Sequence, residues 1–392
     1  MTQAVSSSPP KWVAIRLSVF YGALFLVVGI VMPFWPVWLT ARGLDATEIG
    51  TVLAVGLLTR VIASPLAAHF ADLRGKRHQT MSFLAAGMVG AYLLYGLTWN
   101  FWTVLPVAML SACFFPALMP LAESLTVRAT YDQKLDYGRI RLWGSVAFIL
   151  TAIAGGLFLE GKSVIFVWWM IIGAAIVVFL ATFILPHDQQ PKLTPAEGTH
   201  AWARAQQLVF QRRFLLFLLV AGLIQASHAV YYGFATLHWL SLGYSKTMIG
   251  VLWAEGVVAE ILLFAVSNRV IARVGPERLL LIACALGVVR WLVTSEASSL
   301  AVLFAIQLLH AMTYAASHLA AMHIIQRTTP ADLSATAQSV YASTSMGVFM
   351  GIAMFASGPL YAAIGGGAYY WMAGMAVVAT VGAVFLLRNA PD

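Results

Sequence analysis

A few ionisable side chains lie inside long apolar stretches of the sequence, where a charged group is costly. They are Arg60, Glu255, Glu260, Arg290 and His310. Ionisable groups that persist in hydrocarbon usually line substrate routes or carry protons. Glu260 and Glu255 are therefore candidate proton carriers. Arg290 and His310 lie in consecutive apolar stretches, so they can be neighbours, and both are candidates for the same proton-coupling role.

Each of these residues also has a purely structural interpretation. A carboxylate such as Glu260 can be one half of an ion pair that fixes helix packing, and a histidine within a helix can be a packing residue. Glu255 precedes Glu260 by about one and a half helical turns, so their side chains point in different directions. One is then expected to serve the route and the other a helix contact.

A second set of residues has the chemistry of a small-molecule site. Glu123 follows an apolar stretch that contains three prolines, and Arg141 opens the next stretch. Either residue can be a plain loop charge, but together they form a carboxylate and guanidinium pair suited to a substrate carboxylate or hydroxyl group. Arg60 offers a second cation. Contacts to the rest of a ligand are expected from residues at helical spacing in two later stretches, namely His228, Tyr232 and Tyr314.

Composition predicts the elements that must position these residues. Of the 392 residues, 61% are hydrophobic and 10% are charged, whereas about 25% charged residues is typical of soluble domains. A helix needs roughly 20 mostly apolar residues to cross a bilayer. Apolar stretches run over 17–40, 49–71, 80–99, 102–122, 140–159, 164–185, 214–240, 248–268, 279–295, 300–325, 335–357 and 368–387. We predict an all-α membrane protein with twelve transmembrane helices in the lipid bilayer.

The distribution of basic residues predicts an orientation. Of the 23 Lys and Arg residues, eighteen fall in segments on the same side as the chain ends, three fall on the other side, and two lie within spans. Because cytoplasmic loops of membrane proteins are enriched in Lys and Arg, both termini are expected in the cytoplasm. The net charge of +8 is explained in this way, without a nucleic-acid partner. The expected location is a bacterial inner membrane.

The chain divides into two related halves. Ile49, Gly50 and Gly56 recur 200 residues later as Ile249, Gly250 and Gly256, and Arg60 corresponds to Glu260. Parallel repeats with a binding site between them are typical of secondary transporters. We predict an N-terminal six-helix bundle over 1–185, a cytoplasmic linker over 186–213 and a C-terminal six-helix bundle over 214–392.

The loop that follows the second stretch has the sequence Asp72-Leu73-Arg74-Gly75-Lys76-Arg77. It resembles the Asp-Arg-x-Gly-Arg-Lys loop of the major facilitator superfamily, with Leu73 in place of the first basic residue. The resemblance covers essentially the whole chain and implies the fold of that superfamily. It also implies that the loop is a conformational latch, in which Asp72, Gly75 and Arg77 are gating residues.

Longer segments point to particular branches of the superfamily. The segments 135–145, 228–234 and 258–261 resemble the 3-phenylpropionic acid transporters. The galactoside-proton permeases are also similar, because Glu123 with Arg141 matches their sugar-binding pair and Arg290 with His310 matches part of their proton-coupling network. Their proton-carrying Glu corresponds to Thr313, so Glu260 or His310 would have to take that role.

Three functions remain open at the level of sequence. The first is proton-coupled uptake of a small aromatic carboxylate such as 3-phenylpropionate, by alternating access. The second is proton-coupled symport of a sugar or nucleoside, and the third is a non-transporting assembly or sensory protein on the same scaffold. No phosphate-binding loop, metal-binding motif or nucleophile elbow is present in the sequence, so an enzyme, a metal and a cofactor are not expected. We expect a monomer whose partners are protons and a small-molecule substrate.

Overall fold

The computed structural model describes residues 10–186, 209–330 and 333–389. All regular structure in these three ranges is helical, with no strand. Of the predicted linker 186–213, residues 187–208 lie outside the described residues.

Six long helices make up the first half of the chain. Two of them begin with reciprocal side-chain caps, because the side chain of Asp45 accepts from the backbone N–H of Glu48 and that of Asn100 accepts from Thr103. Such caps satisfy backbone groups that a helix end leaves unpaired. The helices are α1 Pro10–Ala41, α2 Ala46–Arg74, α3 Arg77–Leu94, α4 Phe101–Gln133, α5 Tyr137–Leu159 and α6 Ile165–Thr182.

The helices of the second half are less regular. They are α7 Arg212–Ser241, α8 Lys246–Ala265, α9 Pro276–Glu296, α10 Leu300–Thr328, α11 with consecutive segments Ser334–Tyr341, Ala342–Phe349 and Met350–Ile364, and α12 Ala368–Arg388. Helix α7 is interrupted at Ser227 and His228. Both α10 and α11 contain a wide π-helical stretch, at Ala311–Ala316 and Ala342–Phe349. Such stretches are frequent at functional sites.

The number of membrane spans follows from helix length. Within the described ranges, eleven helical stretches are long and apolar enough to cross a bilayer, and the last, Thr336–Arg388, has 53 residues. At about 1.5 Å per residue it would be roughly 80 Å long, more than twice the hydrocarbon core of a bilayer. Gly365, with a φ of 55°, turns the chain there and separates α11 from α12. The predicted all-α fold with twelve spans in two six-helix bundles is confirmed.

An even number of spans brings the two chain ends to the same side. The start of α7 and the end of α12 meet there, since Nη1 of Arg213 donates to the carbonyl oxygen of Asn389 at 2.7 Å. We call this side the terminal face and the opposite side the far face. Helices α1–α6 pack among themselves, as do α7–α12, and the halves meet chiefly where α2 packs on α11 and α5 on α8.

Glycines bring the two halves into close contact near the far face. A Cβ atom on Gly50 would lie 2.7 Å from the Cα of Gly358, and one on Gly250 would lie 2.2 Å from the carbonyl oxygen of Ala152. A Cβ atom on Gly156 would lie 2.3 Å from the carbonyl oxygen of Lys246. Because backbone meets backbone at these positions, no side chain fits between the halves. The far face is therefore closed in this structure.

Replacement of Gly50 by valine is expected to prevent this closure. Overpacking of a backbone contact costs about 2 kcal/mol, or roughly thirtyfold in the equilibrium between closed and open far face. Transport rate in proteoliposomes should fall accordingly. Gly56→Val is the matched control on the same helix, because nothing lies within 4 Å of a Cβ atom there. Equal transport by the two variants would contradict the assigned role of the glycine contact.

Candidate functional site

The centre of the second half contains a chain of ionisable groups. Nε2 of His310 lies 2.9 Å from Oε1 of Glu260, and Nδ1 of the same ring lies 3.0 Å from Nη1 of Arg290. The three residues come from α10, α8 and α9, so the imidazole links three helices. Gly256 makes room for the imidazole ring, since a Cβ atom there would lie 3.2 Å from Cδ2 of His310.

Arg290 is fully buried and held from several directions. Its Nη1 donates to Oγ1 of Thr313 at 2.8 Å, and its Nη2 donates to Oε1 of Gln307 at 3.2 Å. Its guanidinium carbon lies 4.4 Å from the ring centroid of Trp291 and 4.9 Å from that of Tyr231. No carboxylate pairs directly with Arg290 in the described residues, so Glu260 compensates the guanidinium charge through the ring of His310.

These contacts fix the tautomer of His310. A guanidinium has donors and no acceptor, so Nδ1 of His310 must accept from Arg290 and cannot carry a proton. The proton of the neutral ring is then on Nε2, where it is donated to Glu260. A doubly protonated ring would lose its bond to Arg290 and place two positive charges in contact. Among Glu260, His310 and Arg290, the carboxylate of Glu260 is therefore the group that can gain and lose a proton.

His228 lies at the interruption of α7 and is fully buried. Its Nδ1 is 3.1 Å from the carbonyl oxygens of both Ile224 and Gln225, so Nδ1 carries a proton and donates. Its Nε2 is 3.1 Å from Oγ1 of Thr313. The residue is thus connected to Arg290 through one hydroxyl group and is closed off from a ligand, contrary to the direct ligand contact expected of it.

Tyr232 and Tyr314 form an aromatic corner. Their rings are nearly perpendicular, at 87° with centroids 6.4 Å apart, and Tyr314 stacks on His310 at 5.3 Å. Both tyrosines are partly exposed. An aromatic ring of a ligand that lies in this corner can stack on one tyrosine and meet the edge of the other.

Glu123 and Arg141 face each other between α4 and α5. Nε of Arg141 lies 3.8 Å from Oε1 of Glu123, and the side chains are 29% and 44% exposed, respectively. The guanidinium also lies over the rings of Phe25 and Tyr21, with distances of 4.5 Å and 5.3 Å to their centroids. Arg141 is therefore already compensated by a carboxylate and by two aromatic faces.

Arg60 differs from the other two arginines of the site. It lies midway along α2 and is exposed, yet it is within electrostatic range of Glu123 and of Tyr314 in the other half. It therefore points into the space between the halves. Among the described residues, none forms a hydrogen bond or an ion pair with the Arg60 guanidinium. A cation at this depth without a direct partner is costly, and an anion between the halves would relieve the cost.

The sites of the two halves share one electrostatic neighbourhood. Glu260 is within range of the charges of Arg290 and Arg141, and Tyr314 is within range of Glu260, Arg60 and Arg141. Glu255 is different, because its Oε2 is buried without a hydrogen-bond partner in the described chain, and no charge acts on it noticeably. The structure thus brings together all of the predicted substrate and proton-coupling residues except Glu255.

The chain matches a known family over most of its length. The family model described as "MFS_1 like family" matches residues 14–373. The chain belongs to this family. The MFS_1-like chain is 33% identical over 385 residues to the probable 3-phenylpropionic acid transporter of Escherichia coli (strain K12), across 94% of this chain and 96% of that protein. It is 26% identical over 350 residues to the maltose permease of Geobacillus stearothermophilus, across 86% of each.

Solved structures of transporters share the fold of this MFS_1-like protein. The nucleoside transporter NupG superposes with a TM-score of 0.84 at 13% identity, over 96% of this chain and 100% of that one. A bacterial homologue of the human lysosomal transporter Spinster, in an inward-facing and unoccupied conformation, has a TM-score of 0.73 at 15% identity, over 98% of both chains. The protein is a multi-pass inner-membrane transporter of the major facilitator superfamily and not an enzyme, as predicted.

The predicted latch residues of the MFS_1-like chain lie at the junction of α2 and α3, with Asp72 in the last turn of α2, Gly75 between the helices and Arg77 at the start of α3. Nη2 of Arg77 contacts Oδ1 of Asp72 at 2.8 Å, and its Nη1 donates to Oγ of Ser124 on α4 at 2.7 Å. Gly75 ends α2 in the left-handed conformation, with a φ of 62°, which favours glycine. These contacts therefore connect α2, α3 and α4 at the ends that lie on the terminal face.

Loss of the Asp72 charge is expected to slow transport without weakening ligand binding. Asp72→Asn removes a partly buried charge-assisted bond worth about 1.5 kcal/mol, so we expect a roughly tenfold lower transport rate and an unchanged Kd. Asp132→Asn is the control, because the side chains of Asp132 and its partner Arg128 are 56% and 39% exposed and such pairs contribute little. A changed Kd with an unchanged transport rate would contradict a latch role.

Several residues of this site lay outside the sequence prediction. Gln307 and Thr313 hold Arg290, and Gly156 and Gly358 close the far face. The contacts of Gly156 and Gly358 are symmetric, since their Cβ atoms would meet Lys246 with Thr247 and Ala46 with Thr47, respectively. The partners Lys246 and Thr247 lie 200 residues after Ala46 and Thr47, which is the offset of the repeat. The repeat in the sequence therefore indicated that these positions are equivalent.

Proposed function

We propose that this protein imports a small aromatic carboxylate, such as 3-phenylpropionate, together with a proton by alternating access. The observation that carries the proposal is the guanidinium of Arg60 between the halves, which has no hydrogen bond or ion pair among the described residues, beside an aromatic corner and the Glu260–His310 pair. Arg60 can bind a carboxylate, the aromatic corner can receive a ring, and the Glu260–His310 pair can bind a proton.

Arg60 is the better partner for the substrate carboxylate. Arg141 is already opposite Glu123, and Arg290 is fully buried behind His310. A planar guanidinium binds a carboxylate through two parallel hydrogen bonds. The aromatic corner of Tyr232 and Tyr314 then receives the ring of the substrate, because Tyr314 is within range of the Arg60 charge.

Glu260 is the proposed proton carrier. Ionised Glu260 offsets one positive charge of the site, so its protonation leaves the neighbourhood of Arg60, Arg141 and Arg290 more positive and favours an anionic ligand. Proton and substrate anion then promote each other's binding, as linkage requires. His310 transmits the change to Arg290 while the ring remains neutral.

The direction of import rests on the charge distribution. The positive-inside rule predicts that the terminal face is cytoplasmic, so the closed far face would be the outer side. The halves 1–185 and 214–392 would rock about the central site, with the glycine contacts closing the outer side. One chain supplies every residue of the site, so a monomer suffices.

The relatives support the ligand class. The E. coli relative is named as a probable 3-phenylpropionic acid transporter and matches nearly the whole chain. A second candidate is a sugar or nucleoside, for which the partly exposed Glu123–Arg141 pair offers partners for hydroxyl groups. The third candidate, a sensory or assembly protein, would not transport a substrate.

The test is uptake by purified protein in proteoliposomes under an inward proton gradient. Labelled 3-phenylpropionate should accumulate. Unlabelled aromatic carboxylates should compete more strongly than 3-phenylpropionamide, and sugars and nucleosides should not compete. Accumulation of a sugar or nucleoside instead would support the second candidate. A complete absence of uptake across the panel would support the third and refute the proposal.

A further inference from the structure

Thr313 occupies the position at which the sequence lacks a carboxylate, and the structure gives it a different role. Its Oγ1 contacts Nη1 of Arg290, Nε2 of His228 and the carbonyl oxygen of Leu309, at 2.8, 3.1 and 3.1 Å. We propose that Thr313 and His228 are positioning residues that transmit the protonation state of Glu260 to the interruption of α7. The inference rests on the proposed function.

The hydrogen bonds run in one direction through this junction. Arg290 can only donate, so the Thr313 oxygen accepts from it. Nδ1 of His228 faces two carbonyl oxygens and must carry the ring proton, which leaves Nε2 of the neutral ring as an acceptor. The single hydroxyl proton of Thr313 then has two acceptors within reach, Nε2 of His228 and the carbonyl oxygen of Leu309, each at 3.1 Å. This arrangement needs no further buried charge, and Nε of Arg290 is the one nitrogen of its guanidinium without a hydrogen-bond partner in the described residues.

The junction joins the proton-binding group to a helix break. Along the chain Glu260–His310–Arg290–Thr313–His228 every neighbouring pair is within 3.1 Å. The ionisable groups that act on Glu260 from the surrounding helices are Arg290, Arg141 and His318, and Tyr314 and Tyr231 are also nearby. Of these charged groups in the described ranges, Arg290 is the one that is hydrogen-bonded to Thr313 and through it to His228 of α7.

The part of α7 beyond the break belongs to the contact between halves. Residues Ala229–Ser241 pack against α1 and α2 of the first half, and a Cβ atom on Gly233 would lie 3.7 Å from Cδ1 of Leu53. His228 is the last residue before this segment. A change in the bond between His228 and Thr313 therefore acts on the angle of a segment that helps to close the far face.

This connection explains how a transporter without the permease carboxylate can link proton binding to gating. When Glu260 is protonated, the guanidinium of Arg290 loses its compensation through His310 and binds its remaining acceptors, Thr313 and Gln307, more strongly. The Thr313 oxygen is thereby drawn toward Arg290, and its bond to His228 changes. Protonation of Glu260 thus changes a hydrogen bond at the break of α7, directly before the segment Ala229–Ser241.

The test separates the coupling of substrate to protons from the ability of the protein to move substrate across the membrane. Thr313→Val has the same shape without the hydroxyl, and Thr313→Ser keeps the hydroxyl. Under an imposed pH gradient, Thr313→Val is expected to lose net accumulation of labelled 3-phenylpropionate, with a final inside-to-outside ratio near 1, while exchange of labelled for unlabelled substrate stays within twofold of wild type. Thr313→Ser should accumulate as wild type does. His228→Asn keeps the donor to the carbonyls and should behave as Thr313→Val, with no further loss in the double variant.

Two results would overturn the inference. Accumulation by Thr313→Val at the wild-type level would show that the junction at Thr313 does not contribute to proton coupling. Loss of exchange together with accumulation in both Thr313→Val and His228→Asn would show that the residues are needed for the carrier itself and not for coupling. Failure of the proposed function is distinct, because then the wild-type protein would not accumulate the substrate.

Discussion

Glu260→Gln is expected to abolish proton-driven accumulation of the substrate while preserving exchange. The amide keeps the size of the carboxyl group and can still accept from Nε2 of His310, but it cannot take up a proton. A pH difference of about two units supplies roughly 2.7 kcal/mol per proton, enough for roughly hundredfold accumulation by the wild-type protein. The variant should reach only the external concentration. The measurement is the steady-state ratio of labelled substrate in proteoliposomes.

Glu255→Gln is the matched control for this substitution. Glu255 lies on the same helix, but its Oε2 has no hydrogen-bond partner in the described residues, and the carboxylate paired with His310 is that of Glu260. It should accumulate substrate like wild type. If Glu255→Gln loses accumulation and Glu260→Gln does not, the proton carrier has been assigned to the wrong carboxylate.

Arg60→Gln is expected to weaken binding of an aromatic carboxylate by a large factor. A charge-assisted pair of hydrogen bonds contributes about 2–3 kcal/mol, so Kd should rise roughly 30-fold to 150-fold. Arg60→Lys should lose less, because it keeps the charge but not the planar fork. The measurement is titration calorimetry with 3-phenylpropionate.

Two controls make the Arg60 result specific. The neutral analogue 3-phenylpropionamide should bind Arg60→Gln and wild type with Kd values within twofold of each other, because it has no charge to lose. Arg139→Ala removes a guanidinium that is 88% exposed and should leave binding of the acid unchanged. An unchanged Kd for the acid in Arg60→Gln would exclude this residue as the anion ligand.

Hydropathy was sufficient to predict the spans, but it could not place their ends. Helix α1 begins at Pro10 and α4 ends at Gln133, beyond the apolar stretches 17–40 and 102–122. Polar residues there continue the helices outside the hydrocarbon, where composition no longer constrains the chain. Glu123 consequently lies ten residues before the end of α4, within the helix and not in a loop.

The candidate site was predictable where it depended on chain order. Arg290 and His310 come from consecutive spans, which are usually adjacent, and the structure places them 3.0 Å apart. The proximity of Arg60 to Tyr314, from opposite halves, depends on how the halves meet, and a repeat predicts equivalence but not contact. Thr313 was visible only as a missing carboxylate, because an uncharged hydroxyl in an apolar span gives no signal of its hydrogen bonds.

The repeat also had a structural meaning that sequence could not supply. Gly50 and Gly250 were equivalent in sequence, and each meets the backbone of the opposite half. A glycine in a helix can equally face lipid, as Gly173 does with nothing within 4 Å of its Cβ position. Only the tertiary arrangement separates these cases.

Proton movement on addition of substrate is the most direct test of proton coupling through Glu260. Purified protein is reconstituted into vesicles that contain a pH-sensitive dye, and 3-phenylpropionate is added outside without any imposed gradient. The wild-type protein should acidify the vesicle interior faster than protein-free vesicles do, and Glu260→Gln should not exceed the protein-free rate. Substrate entry without acidification by the wild-type protein, or equal acidification by both proteins, would contradict the proposed mechanism.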